Sequence, residues 1–174
     1  MLDLVISSLY FIAPAYLANM FPVILGKLNF PFGKVIHKKW FGAHKTWRGI
    51  YAAYLGALFV LFLQQYFYNI EILQSWSLLD YESINIFFFA LLFGFGAILG
   101  DLFESFVKRR VGIKEGGVFF PFDQTDFVLG AMLFVFPFYA VSWQVFVTLL
   151  LVTPALHFLT NVVAYLLGLK KVWW

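Results

Sequence analysis

A chain of 174 residues that is 63% hydrophobic and only 12% charged, with a mean hydropathy of +0.86, carries about half the charge of an ordinary soluble domain. That composition excludes a water-soluble globule and implies an integral membrane protein, of a length that suits one helical bundle. The absence of cysteine removes disulfides and thiolate metal sites, and the net charge of +3 matters less than where the charges lie.

Five apolar runs follow in chain order, at roughly 4–25, 49–70, 84–106, 124–141 and 143–169. Each is read as a membrane helix, because crossing the hydrocarbon core takes about 20 residues. The first run has Asp3 ahead of it and no Lys or Arg before Lys27, so it reads as a retained helix rather than a signal peptide. Pro14 should kink it, and Asn19 is a polar amide that needs a partner inside the bundle. The fourth run is short, and only the polar break at Ser142 and Gln144, with Pro137 before it, separates it from the fifth. Strands are not expected, since such a chain crosses a bilayer as helices. The expected fold is therefore an all-α membrane protein of five transmembrane helices in a single domain over 1–174, with cytoplasmic loops at 26–48 and 107–123. Gly96 with Gly100, and Ala52 with Gly56, are spaced for close helix–helix packing.

Charge placement orients the bundle. All twelve cations lie in 27–48, in 108–114 or at Lys170 and Lys171, after the first, third and fifth runs. The opposite ends carry Asp3, Glu71, Asp80 and Glu82 and no cation. The positive-inside rule then puts the N-terminus outside and the C-terminus in the cytoplasm.

The chemistry concentrates between Gly100 and Asp126. Asp101, Glu104, Ser105 and Lys108 share one face of a helix at i, i+3, i+4 and i+7. Acids near membrane depth are costly and point to function, although an interfacial helix end with snorkelling charges reads similarly. Lys108, Arg109 and Arg110 are either anchors on the positive side or phosphate ligands. Asp123 and Asp126 begin the fourth run, where helix capping is the simpler explanation. With Asp101 on the neighbouring helix they could instead hold Mg²⁺, a hard cation that prefers oxygen ligands and phosphates. Lys45 and Arg48, just before the second run, add cations on the same side. No GxxxxGK[ST] loop is present, no nucleophile–His–acid set is visible, and the glycines at 94, 96 and 100 lack Rossmann spacing.

Three segments carry a resemblance. The order G-D-L-x-x-S-x-x-K-R from Gly100 to Arg109, then P-x-D-Q-x-D-F from Pro121 to Phe127, resembles the CDP-archaeol synthases, small five-helix relatives of the CDP-diacylglycerol synthases. K-T-W-R-G at Lys45 to Gly49 and P-A-Y-x-x-N at Pro14 to Asn19 extend the likeness over nearly the whole chain. Lys114–Glu115 stands where the broader signature has K-D, 118–122 replaces its H-G-G, and Pro31-Phe32-Gly33 stands where the family often has P-I-D. The resemblance implies a CTP-dependent cytidylyltransferase: a lipid phosphate attacks the α-phosphorus of CTP, giving a CDP-lipid and pyrophosphate. It implies Mg²⁺ on Asp101, Asp123 and Asp126. Asp101, Asp123 and Lys108 are the expected catalytic residues. Asn19, Lys45, Arg48, Ser105, Arg109 and Gln124 are the expected substrate contacts. The implied lipid is 2,3-di-O-geranylgeranylglyceryl phosphate, with phosphatidic acid as the alternative, and no nucleic acid is involved. An ion channel or transporter subunit is the reading from another class. It is disfavoured because the acids gather at one membrane face and no internal repeat is found.

Overall fold

The computed structural model describes residues 1–115 and 117–166, with the side chains of residues 160, 161, 163 and 164 left out of the description. It contains seven helices among the described residues: α1 (Leu2–Lys27), α2 (Lys38–Phe41), α3 (Trp47–Tyr66), α4 (Glu71–Trp76), α5 (Ile86–Arg110), α6 (Phe122–Val135) and α7 (Trp143–Leu166). No strand forms among these residues; an isolated bridge between Val35 and Thr46 closes the first long loop. Helices α1, α3 and α5 are long and apolar enough to cross a membrane. Helix α7 adds an apolar stretch over Trp143–Leu159 and continues to Leu166.

The expected boundaries need several corrections. The second helix stops at Tyr66 rather than 70, and a six-residue helix, α4, follows that the hydropathy pattern did not separate. The third helix runs on to Arg110, so Lys108, Arg109 and Arg110 form its last turn instead of opening a loop. A helix C-terminus favours cations there, because its unpaired carbonyls carry partial negative charge. The fourth helix has 14 residues and ends at Val135, about 21 Å at 1.5 Å per residue. That falls short of the roughly 30 Å hydrocarbon core. The end of the fifth run and both lysines at 170 and 171 lie outside the described residues.

Local sequence explains the helix starts. The Thr46 hydroxyl accepts from the Gly49 N–H at 3.3 Å and opens α3. Asn85 accepts from the Phe87 and Phe88 N–H groups at 3.0 and 3.2 Å and opens α5. Each such cap satisfies helix-terminal donors that have no intrahelical partner.

Helix α5 is the spine, packed against α6, α3 and α1. Its contacts are made through small residues. A Cβ at Gly94 would lie 2.9 Å from the Tyr54 Cα on α3. One at Gly96 would lie 2.7 Å from both the Ala131 Cα and the Gly130 carbonyl on α6. A Cβ at Gly100 would run into the Asp126 carbonyl. Gly56 meets the Leu17 carbonyl of α1 in the same way. Where lipid surrounds the bundle there is no hydrophobic drive between helices, so close backbone approach and dispersion hold them together. The expected small-residue pairs are thus seated on neighbouring helices. Phe103, Leu133 and Leu151 point outward, about 70% exposed, as lipid-facing side chains would.

At the end remote from the cations, polar side chains are paired internally. Gln64 donates to the Tyr10 carbonyl at 2.6 Å and accepts from the Tyr81 hydroxyl at 2.9 Å. Nearer the middle of the bundle, where Tyr16 packs on Phe127, the Tyr16 hydroxyl donates to Thr153 at 2.8 Å and ties α1 to α7.

Candidate active site

The close α5–α6 crossing places two acidic segments side by side. Asp101 and Glu104 are one turn apart on α5, and Asp126 faces them from the first turns of α6. One oxygen from each of these three carboxyls lies within 4.8 Å of the others. Glu104 and Asp126 are buried and Asp101 is partly so. Two like unit charges about 4 Å apart repel by roughly 4 kcal/mol at an effective dielectric of 20, so the cluster needs counter-charge.

Two lysines supply part of it. Lys45 Nζ lies 2.5 Å from both oxygens of Asp101. Lys108 Nζ lies 3.4 Å from Glu104 and 2.8 Å from Asp123. Asp123 also accepts from the Phe119 N–H at 2.8 Å. Asp126 accepts from its neighbour Phe127 N–H at 2.6 Å. Fully ionised, four carboxylates would face two ammonium groups here. The Glu104 oxygen facing Lys108, Oε1, is buried and makes no hydrogen bond, only that ion pair. An all-oxygen donor set with surplus negative charge suits a hard divalent cation.

Two cavities meet at this cluster. One, of about 620 Å³, is the more polar of the two: Asn19 from α1, His44, Lys45 and Arg48 from the first loop and α3, and Asp101 from α5 line it among apolar side chains such as Val23 and Ile98. The other, of about 790 Å³, is almost wholly apolar. Trp40, Phe41, Phe103, Phe106, Phe122 and Leu133 line it, with Glu104 and Asp126 at its inner edge. Leu102 borders both, so the carboxyl cluster stands in the partition between a polar and an apolar chamber.

The structure brings several of the expected site residues together and leaves others apart. Asn19, Lys45, Arg48 and Asp101 line the polar cavity. Arg48 also donates to the Phe30 carbonyl at 2.7 Å, leaving its Nε buried and unpartnered. Asp123 is drawn to Lys108 and lies outside the close carboxyl trio, in which Glu104 takes the place expected for it. Ser105 is buried with its hydroxyl 3.4 Å from Glu104, and Gln124 has a buried, unpartnered carbonyl oxygen; neither lines the two cavities. Arg109 turns away and donates to the Ile113 carbonyl at 2.6 Å, so it holds the loop after α5. Arg110 stacks over Phe106 at 4.9 Å. Glu104 was legible in principle, because its i+3 spacing from Asp101 puts both on one face; an ordinary interfacial acid has the same spacing.

Comparison with known proteins agrees with this architecture. The family described as CarS-like, CDP-archaeol synthase, matches residues 1–174. A CDP-archaeol synthase from Methanococcus aeolicus is 35% identical, covering 98% of this chain and 97% of its own. Those from Archaeoglobus fulgidus and Pyrococcus furiosus are 37% and 36% identical, with full and 98% coverage of both chains. A solved structure described as an intramembrane enzyme for archaeal membrane lipids biosynthesis superposes with a TM-score of 0.67 at 26% identity. It covers 88% of this chain and 91% of that one. The helices, the multi-pass character and these matches agree, and the chain belongs to the CDP-archaeol synthase family.

Proposed function

We propose that this protein transfers a cytidylyl group from CTP to the phosphate of 2,3-di-O-geranylgeranylglyceryl phosphate, forming CDP-archaeol and pyrophosphate. The observation that carries the reading is the pair of chambers, one polar and cation-lined and one apolar, meeting at the carboxyl cluster. A triphosphate fits the first and a lipid chain the second. The two reacting phosphates would then meet between Asp101 and Glu104.

In this reaction an oxygen of the lipid phosphate attacks the α-phosphorus, the bond from that phosphorus to the β-bridging oxygen breaks, and pyrophosphate leaves. The nucleophile is already an anion, so no base is required. The protein's work is to bring two polyanions together and hold them in line. Lys45 and Arg48, with Asn19, line the chamber assigned to the nucleotide. Lys45 binds Asp101 at the edge of that chamber and would also reach the triphosphate. Lys108 sits between Glu104 and Asp123 and would meet the lipid phosphate from the other side. Asp101, Glu104 and Asp126 would hold Mg²⁺, which would supply charge neutralisation at the phosphates. Asp123, through Lys108, sets the position of that ammonium group. Ser105 braces Glu104 through its hydroxyl, and Arg109 shapes the loop. Five membrane helices, with the N-terminus outside, the C-terminus inside and the site on the cytoplasmic side, complete the reading; the cations at 27–48 and 108–114, in helix ends and loops, support it.

Pyrophosphate release from purified protein in detergent tests the function. Release is expected with CTP, Mg²⁺ and the unsaturated ether-lipid phosphate, and should disappear with EDTA. Equal or faster release with phosphatidic acid would move the assignment to CDP-diacylglycerol. No release with either lipid from folded protein would refute cytidylyl transfer and reopen ion transport.

A further inference from the structure

The segment 40–45 is the wall between the two chambers. Trp40 and Phe41 face the apolar one, and His44 and Lys45 face the polar one. Little of its own structure holds it. Helix α2 has four residues and ends at Gly42, whose φ is +90°. On the far side, the Ile36 N–H donates to the Lys45 carbonyl at 2.9 Å.

Lys45 is paired with Asp101, and Trp40 and Phe41 pack on Phe106, both partners lying on α5; the backbone between them is held by one side chain from the other loop. Glu115 Oε1 accepts from the Ala43 N–H at 2.7 Å and lies 3.5 Å from His44 Nε2. It rests so close over Gly42 that a Cβ there would be 3.0 Å from it. Glu115 belongs to the other loop, the one after α5. That loop is folded back on its helix: Ile113 donates its N–H to the Lys108 carbonyl at 2.9 Å and accepts from Arg109. A single carboxyl therefore joins the two cation-bearing loops across the mouth of the site.

We propose that Glu115 is a positioning residue, which holds Lys45 against the nucleotide chamber and Trp40 and Phe41 against the lipid chamber at once. The proposal rests on the cytidylyl-transfer reading for its kinetic consequence and on geometry alone for the tie itself. Loss of the tie should therefore weaken both substrates together. A glutamine keeps the acceptor oxygen and should serve nearly as well, because the bond runs to a backbone N–H.

The test compares Glu115→Ala and Glu115→Gln with the wild type in two assays. Glu115→Ala should raise the KM for CTP and for the lipid phosphate about three- to tenfold each, the scale of one half-exposed hydrogen bond to a carboxylate, with kcat within about twofold. It should also speed limited trypsin cleavage after Lys38, Lys39 or Lys45 severalfold. Glu115→Gln should match the wild type in both. Unchanged KM values in Glu115→Ala, a rise for one substrate only, or a glutamine variant as impaired as the alanine variant would overturn the proposal. Failure of the wild type to release pyrophosphate would count against the transfer reading instead, and the cleavage rates would still decide whether the tie exists.

Discussion

Substituting Gly96 by alanine tests whether the α5–α6 crossing builds the site. Gly96 touches no substrate chamber; it lies on α5 more than a turn before Asp101, where it packs on α6. A methyl group there would sit 2.7 Å from the Ala131 Cα. Carbon atoms settle about 3.5–4.0 Å apart, so α6 must retreat by roughly 1 Å. The three nearest obstructing atoms are all backbone, so no side chain can rotate aside to relieve the contact. Overpacking of this kind costs about 1–3 kcal/mol. The catalytic cost should be larger in relative terms. Asp126 rides on α6 and Asp101 and Glu104 ride on α5, so the same retreat opens the carboxyl trio. A misplacement of about 1 Å can cost on the order of 100-fold in rate. Turnover by pyrophosphate release and thermal unfolding in detergent would be measured on the same preparation. Gly96→Ala should lose about 100-fold in kcat while still unfolding cooperatively at a modestly lower temperature. Leu151→Ala, on the outer face of α7, should change neither. A Gly96→Ala protein with wild-type turnover would show that the trio's spacing does not depend on this crossing.

Other substitutions separate the roles of the charged groups. Lys45→Met leaves Asp101 without its counter-ion and removes a phosphate ligand; turnover should fall by about 100-fold or more, the scale of a lost charge-stabilising donor. Glu104→Gln should weaken metal dependence, seen as a higher Mg²⁺ concentration for half-maximal turnover; Asp123→Asn should lower kcat with a smaller shift in that concentration, because Asp123 is paired with Lys108. The reverse pattern would return Asp123 to the ligand set. At the other end of the bundle, Tyr81→Phe removes the hydroxyl bonded to Gln64 and should cost about 1 kcal/mol of stability with turnover unchanged.

Composition and charge order alone determined that the chain is helical and membrane-embedded, that its cations follow alternate apolar runs, and that Asp101 and Lys108 share a helix face. These properties follow from hydropathy and from spacing along one helix, both of which are local. The positions of Gly96 and Gly100 announced a close helix contact for the same reason. What only tertiary structure decided is which groups meet across helices. The α5–α6 approach at Gly96, Gly100 and Gly130 selects Glu104 and Asp126 to stand with Asp101, and it leaves Asp123 to Lys108. That Arg109 donates to the Ile113 carbonyl also follows only from the fold of its loop. The two chambers were not legible either, because each is lined from three or more separate segments and no single stretch carries its shape. Helical periodicity records a side chain's own face; the distance between two faces is set by how closely the helices pack.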